Sequence, residues 1–380
     1  MIHCAKDFGP FEGKIWLNVA SEGPLPRPAV EALKQAAEWK AKPYELTLER
    51  FSSSLLDLKK TLGRLIHVPY AEIIAGNSAT FGIHLLANGL PLEHGDEILC
   101  MQNDFPTNIL PWLGLTAKGV VVHQIPPKNH LLQPSEIIPY IKRKTKVLCL
   151  SHVHTFSGYR LDVEAVGKLC RERGIIFVLN ISQSAGAFPV DISALGVDAV
   201  TSAGYKWLCG PYATGFCWMK SEIRSSLEYN QAYWSALLKE EALRSTGPLA
   251  LPQEKSSRRY DVFAPANFFN FIPWRAAIEY LIAVGLTEIE QHNRQLVDIL
   301  VEGLDKKQFY FVSPASTGDR TNIVVFSHRQ SDKNPRILET LKKQGIYLAL
   351  WKGNLRAAPH LYNTSQDIEK LLTCIHQDCI

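Results

Sequence analysis

From about residue 70 to residue 220 the chain repeats one pattern: a short, uniformly apolar run, then a segment with apolar positions three and four apart. Ile73-Ile74-Ala75, Glu97-Ile98-Leu99-Cys100, Val120-Val121-Val122-His123, Val147 to Ser151, Ile175 to Leu179 and Ala199-Val200-Thr201 predict strands. Ala79 to Asn88 and Val163 to Arg173 predict helices among them. Strands that are apolar at every position are buried on both faces, as parallel strands are when crossover helices cover them. The alternation therefore predicts an α/β fold with a mainly parallel sheet covered by helices. Residues 220–262 break the pattern, being polar, interrupted by Pro248 and Pro252, and charged over 254–261. They predict a helical excursion or a loop over a cleft. After Pro273 a long helical pattern runs from Ala276 through Leu300. Strand-like Asn322 to Phe326, helix-like Pro335 to Lys343, strand-like Ile346 to Trp351 and a helix over Ser365 to His376 follow. That order predicts a small α+β unit. The expected division is a large unit over 15–270 and a small C-terminal unit over 271–380, with residues 1–20 packing on the small one.

Composition narrows the function classes. The 380 residues carry 41 Lys+Arg against 37 Asp+Glu, a net charge of +4, with no clustered basic stripe, which argues against a nucleic-acid binder. Hydrophobic residues at 46% and charged ones at 21% are ordinary globular usage. No apolar run is long enough to span a membrane, and the N-terminus shows no basic region followed by an apolar stretch, so a cytoplasmic protein is expected. The eight cysteines form no CxxC pair, and several, such as Cys149, sit in apolar runs. They read as buried thiols in a reducing compartment, not as a disulfide or zinc framework.

The stretch Ser202-Ala203-Gly204-Tyr205-Lys206-Trp207-Leu208-Cys209-Gly210-Pro211 holds the most informative chemistry. Lys206 follows a predicted strand, at the sheet edge where α/β folds bind ligands. An amine becomes nucleophilic near neutral pH when it is partly desolvated or lies near other cations. By itself the pattern is equally that of a structural lysine burying its stem.

Several ordered motifs around it resemble the class V aminotransferase family, of fold type I, whose members bind pyridoxal 5′-phosphate (PLP). The resembling segments are Ile15-Trp16-Leu17-Asn18-Val19-Ala20-Ser21 with Gly23-Pro24-Leu25-Pro26, Gly76-Asn77-Ser78-Ala79-Thr80, and Asp104-Phe105-Pro106-Thr107-Asn108. They continue with Ser151-His152-Val153 through Arg160, Leu179-Asn180-Ile181-Ser182-Gln183-Ser184-Ala185-Gly186, and Leu355-Arg356-Ala357-Ala358-Pro359-His360-Leu361-Tyr362-Asn363-Thr364. The resemblance implies a Schiff base between Lys206 and PLP, with Lys206 then moving the proton at the substrate's Cα. It places Ser78 and Ala79 at the cofactor phosphate, at a helix start that suits an anion and equally suits a simple N-cap. Tyr205 and Ser202 are the hydroxyls expected nearby, because the family's usual serine position is Ala203. Phe105 is expected flat on the pyridine ring, Gln183 beside the ring oxygen, and Asn267 on a loop reaching a neighbouring subunit's phosphate. Arg356 is expected to grip the substrate carboxylate, with Asn18, Ala20 and His154 also at the substrate. A homodimer with shared sites follows from the same resemblance.

Two departures bear on the reaction. Where the family has an aspartate facing the pyridine nitrogen, this chain has Asn180, which cannot hold a ring proton by charge. That ranks transamination below β-elimination or epimerisation. The second is the run Gly345 to Arg356, which contains no cysteine, whereas cysteine desulfurases carry a nucleophilic one shortly before the arginine. The expectation is therefore a lyase of the C–S type or an epimerase, in the branch of isopenicillin N epimerase-like proteins and cystine C–S lyases, and not a cysteine desulfurase. An aminotransferase and a PLP-binding protein without turnover are the alternatives. An epimerase would need a second acid or base, for which His152 and His154 are candidates. Glu22 is an unusual charge in the N-terminal motif, suited to a cationic substrate group or to solvent.

Overall fold

A computed structural model describes residues 4–378, apart from 229–230, 239–241, 243, 245, 253–255, 315 and 317–319. Among these, the largest sheet has seven strands, in the order Ile73–Gly76, Gly215–Met219, Ala199–Ala203, Ile176–Asn180, Thr145–Ser151, Glu97–Met101 and Val121–Ile125. The pairs among the last five are parallel, and Gly215–Met219 runs antiparallel to both of its neighbours. This is the mainly parallel sheet of fold type I. The period of two along each strand divides its side chains between two cores. Leu148 and Leu150 join one apolar cluster, while Val147 and Cys149 join the cluster on the other side. Both faces of the inner strands are buried, which is why those runs are apolar, whereas the edge strand Val121–Ile125 is exposed at Val121 and Gln124.

A smaller four-stranded antiparallel sheet has the order Ala349–Trp351, Asn354–Ala357, Val324–His328, Phe309–Phe311. It shares a third apolar cluster with Leu296, Leu300, Ile337, Leu341, Ile368 and Leu371. Ile15–Trp16 pairs in parallel with Ile346–Tyr347, so the N-terminal segment joins the chain near this sheet.

Three elements differ from the pattern reading. The helix expected to begin after Pro273 begins at Phe268 and runs to Val284, with Pro273 inside it. Its expected continuation is a separate helix, Leu286–Gly303, because Gly285 at φ 95° turns the chain between them. The strand-like run 346–351 is divided, Ile346–Tyr347 and Ala349–Trp351 lying in different sheets. The 220–262 excursion contains the short helices Ser221–Ser226 and Trp234–Leu237 and a 3-10 turn at Ser257–Tyr260. Its last residue is anchored to the edge strand Ile73–Gly76 of the large sheet, where the Val262 N–H donates to the Ala75 carbonyl. Seven cysteines are free and buried, and Cys379 lies outside the described residues. No described helix is long and apolar enough to cross a membrane.

Candidate functional site

The C-terminal ends of the parallel strands converge on one cavity, where ligands of open α/β sheets bind. It is lined by Ser78, Ala79 and Thr80 after Ile73–Gly76, Phe105 and Thr107 after Glu97–Met101, and Ser151 and Thr155 at the end of Thr145–Ser151. Asn180, Ser182 and Gln183 contribute from Ile176–Asn180, and Ala203, Tyr205 and Lys206 from Ala199–Ala203.

Lys206 lies in the connection between two antiparallel strands whose register aligns Ala203 with Gly215. Gly204 donates to the Thr214 carbonyl at 2.8 Å and Gly210 to the Gly204 carbonyl at 2.9 Å, closing the turn. A Cβ on either glycine would collide with the Trp274 indole, so only glycine allows this approach. The Lys206 amine is buried, 5.0 Å from the Phe105 ring centroid and 6.0 Å from that of Tyr205. Among the described residues no carboxylate comes within ion-pair distance of it. Burial, reinforced by the Arg356 charge and opposed by Glu22, pushes its pKa down to about 8. A neutral, nucleophilic amine is thus populated near physiological pH.

Arg356 is 1% exposed. Its Nη2 donates to Ser21 Oγ at 2.6 Å and Asn18 Oδ1 at 3.1 Å, and its Nη1 to the Thr155 carbonyl at 3.4 Å. Its Nε has no partner, and burial draws the guanidinium down to about 10. A buried cation held only by neutral groups is unfavourable until an anion joins it, and the planar fork matches a carboxylate.

The remaining polar groups are fixed by hydrogen bonds. Ser78 caps the helix Ala79–Gly89, its hydroxyl accepting from the Phe81 N–H. The first N–H groups of that helix therefore face the cavity end, a favourable place for a phosphate. Asn180 donates from Nδ2 to Asn108 Oδ1 at 2.9 Å and accepts from the Ser182 N–H at 3.0 Å. Asn108 in turn donates from its own Nδ2 to buried Asp104 at 2.9 Å. Gln183 donates to the Ala20 carbonyl and Thr155 Oγ1, both at 3.0 Å, and accepts from the Trp207 indole at 2.7 Å.

The structure thus brings Lys206, Ser78, Ala79, Phe105, Asn180, Gln183 and Tyr205 to one cavity, with Asn18, Ala20 and Arg356 bonded beside it. Ser202 and His154 are placed elsewhere. Ser202 turns its hydroxyl to the Ala203 carbonyl at 3.0 Å, because strand alternation directs it to the face opposite Ala203. Ser182 supplies the hydroxyl in its place, accepting from the Ala203 N–H at 2.9 Å. Asn267, expected to reach a neighbouring subunit's phosphate, caps the helix Phe268–Val284, accepting from the Asn270 N–H. His154 commits both ring nitrogens, one to Ser157 Oγ at 2.7 Å and one to the Asn103 carbonyl at 3.1 Å, so neither is left for a substrate. His152, bonded to Ser184 and pushed down to about 3 by burial, also lies outside the cavity lining. Glu22 is partly buried, its carboxyl raised by burial against the pull of Lys206, and lines a separate cavity of about 330 Å³ with Phe11, Trp16 and Tyr347. Thr80, Thr107, Ser151, Thr155 and Ser182 were not anticipated; short hydroxyl residues carry no pattern that singles them out.

These residues fit PLP. The unpaired amine suits its aldehyde, the helix start its phosphate, and the flat Phe105 face its ring. Comparison with known proteins agrees. A protein of Methanothermobacter thermautotrophicus named probable cysteine desulfurase is 24% identical over 96% of this chain and 95% of its own length. An apo cysteine desulfurase from Thermococcus onnurineus NA1 superposes with a TM-score of 0.86 at 22% identity, covering 99% of this chain and 97% of that one. The cystine C–S lyase C-DES, solved with its product cysteine persulfide, superposes with a TM-score of 0.87 at 21% identity, covering 97% of this chain and 99% of that one. The expectation that the cysteine desulfurase branch is excluded is therefore corrected. The missing thiol before Arg356 is a feature of one turn, whereas the likeness to proteins of that name extends over nearly the whole chain. The family model described as aminotransferase class-V matches residues 15–371, and the chain belongs to that PLP-dependent family.

Proposed function

We propose that the protein is a PLP-dependent lyase that breaks the C–S bond of a sulfur-containing amino acid. The observation that carries this reading is the pairing of an uncompensated amine at Lys206 with an uncompensated guanidinium at Arg356. Such a pair suits an aldehyde cofactor and the carboxylate of an amino acid. The names of the cystine C–S lyase and the desulfurases among similar proteins support the choice of bond.

When bound, PLP supplies an aldehyde that condenses with amines and a ring that withdraws electrons from the bonds at Cα. Lys206 would hold the cofactor at rest. As a free amine beside the substrate it would be placed to take the Cα proton, a role its lowered pKa suits. Arg356 holds the substrate carboxylate and so fixes which Cα bond faces Lys206. Phe105 excludes water from one side, while Ser78, Ala79 and Tyr205 hold the phosphate end. Asn180 offers the ring nitrogen a neutral amide. A neutral amide there would support the ring's electron withdrawal less than an acid would, which suits a substrate with a good sulfur leaving group. In this reading the large unit over 15–270 carries Lys206 and the small unit over 271–380 carries Arg356. A homodimer is part of the proposal, supported by the exposed Tyr44, Leu48, Phe51, Tyr212, Phe263 and Phe269. The buried free thiols support a reducing compartment.

The test is to reduce the PLP-loaded protein with borohydride, map the labelled peptide, and assay cystine and cysteine for pyruvate and sulfur release. Label on Lys206 with sulfur release supports the reading. Label elsewhere, or no C–S cleavage with a panel of sulfur amino acids, overturns it.

A further inference from the structure

Beyond Lys206 an aromatic wall leads out of the site. The Phe105 ring, 5.0 Å from the Lys206 amine, lies 6.3 Å from the Phe156 ring, and Phe156 lies 5.8 Å from Trp351. Trp351 in turn lies 5.9 Å from the Arg356 guanidinium carbon. The hairpin explains this meeting. Ala349 is opposite Arg356 and Trp351 opposite Asn354, so Ala349, Trp351 and Arg356 share one face. Its tip is Lys352-Gly353.

Lys352 stands at the outer end of the wall. Its amine lies 4.3 Å over the Phe156 ring and donates to the Asn103 carbonyl at 3.3 Å. Among the described residues no carboxylate pairs with it. The tip requires φ of 51° at Lys352 and 79° at Gly353, and glycine or asparagine would fill the first position with less strain.

We propose that Lys352 is a specificity residue that binds an anionic group, a carboxylate in the simplest case, at the far end of the substrate's side chain. The inference rests on the proposed placement of the cofactor on Lys206 and the α-carboxylate on Arg356. The side chain then runs along Phe105 and Phe156, rings that accommodate methylene and thioether atoms, and its terminal anion meets the ammonium. Neutral side chains of the same shape leave that charge unmatched.

The test uses calorimetric titration of the PLP-loaded protein with three matched pairs: aspartate and asparagine, glutamate and glutamine, S-carboxymethylcysteine and its side-chain amide. The wild type is expected to bind the acid of at least one pair roughly fivefold more tightly, the scale of a partly exposed ion pair. Lys352→Met should bind acid and amide equally, and Lys352→Arg should restore the preference. Equal binding of acid and amide in every pair by the wild type, or a preference that survives in Lys352→Met, overturns the proposal. The cofactor's visible band, recorded before any amino acid is added, separates the two readings. Its persistence in Lys206→Ala would overturn the placement of the cofactor, while the acid–amide comparison still decides on Lys352.

Discussion

Asn180 reaches the carboxylate of Asp104 through one intermediary, Asn108, whose Oδ1 accepts from Asn180 at 2.9 Å and whose Nδ2 donates to Asp104 at 2.9 Å. The direction of the chain is forced. A buried carboxylate only accepts, so Asn108 must turn its NH₂ to Asp104 and its oxygen to Asn180. Ser151 strengthens the fix, donating to Asp104 from its hydroxyl at 2.7 Å and its backbone N–H at 3.0 Å.

This geometry predicts that Asn180→Asp is not a simple restoration of the family's usual acid. An ionised aspartate would face the Asn108 oxygen, and rotating Asn108 would turn that oxygen toward Asp104. The substitution should lower stability by about 1–3 kcal/mol, the cost of a buried acceptor left without a donor. Thermal unfolding checks it: a melting temperature equal to wild type would mean the three side chains do not act as a unit. Asn108→Asp should be at least as damaging, because it sets a second carboxylate against Asp104.

Lys206 predicts a pH profile for cofactor uptake. Its neutral form attacks the aldehyde, and with a pKa pushed down to about 8 that form becomes the majority as pH rises through about 8 instead of 10.5. The rate at which cofactor-free protein develops the visible band should therefore rise from pH 7 and level off above pH 9. A rate still climbing steeply at pH 10 would contradict the burial argument.

Arg356→Ala should weaken amino-acid binding by roughly a hundredfold, since it removes a buried charged donor from its partners. The contrast with an amino-acid amide is diagnostic. The wild type should discriminate strongly against the amide, and the variant hardly at all, in spectral titrations. Cofactor content should change little.

A structural prediction concerns Lys59 and Asp261. Their ion pair is 2.7 Å long and nearly inaccessible, with side-chain exposures of 7% and 1%. Asp261 also accepts the Ala75 N–H at 2.8 Å, tying the 257–262 segment to the strand that leads to Ser78. Lys59→Met leaves that carboxylate buried without a counter-charge and should cost about 3–5 kcal/mol. Replacing both residues by apolar ones should cost less than the single change, and denaturant titration of the two variants measures the difference.

Much of this was legible from sequence, for reasons that differ by element. The inner parallel strands announced themselves because burial on both faces favours apolar residues at successive positions, as in 147–150. Lys206 and Arg356 stood in ordered motifs. Gly215–Met219 is as long and as buried as Glu97–Met101, and it was missed because only the turn bearing Lys206, with no helical segment, separates it from Ala199–Ala203 and so breaks the strand–helix alternation. The break at Gly285 was hidden because a single glycine inside a helical pattern reads as tolerated. Ser202 and Ser182 could not be told apart without knowing which face each presents. One partner of His154, Ser157, is near in sequence, but the other, the Asn103 carbonyl, is distant.

The grip of Arg356 on Asn18 and Ser21 spans 338 and 335 positions of the chain. A carboxylate receptor built this way has no local precursor. While the protein is being synthesised, the segment bearing Lys206 can be sheathed by its sheet well before the guanidinium exists. On the proposed function, selection among amino acids is acquired late in folding, after the closure of a very long loop.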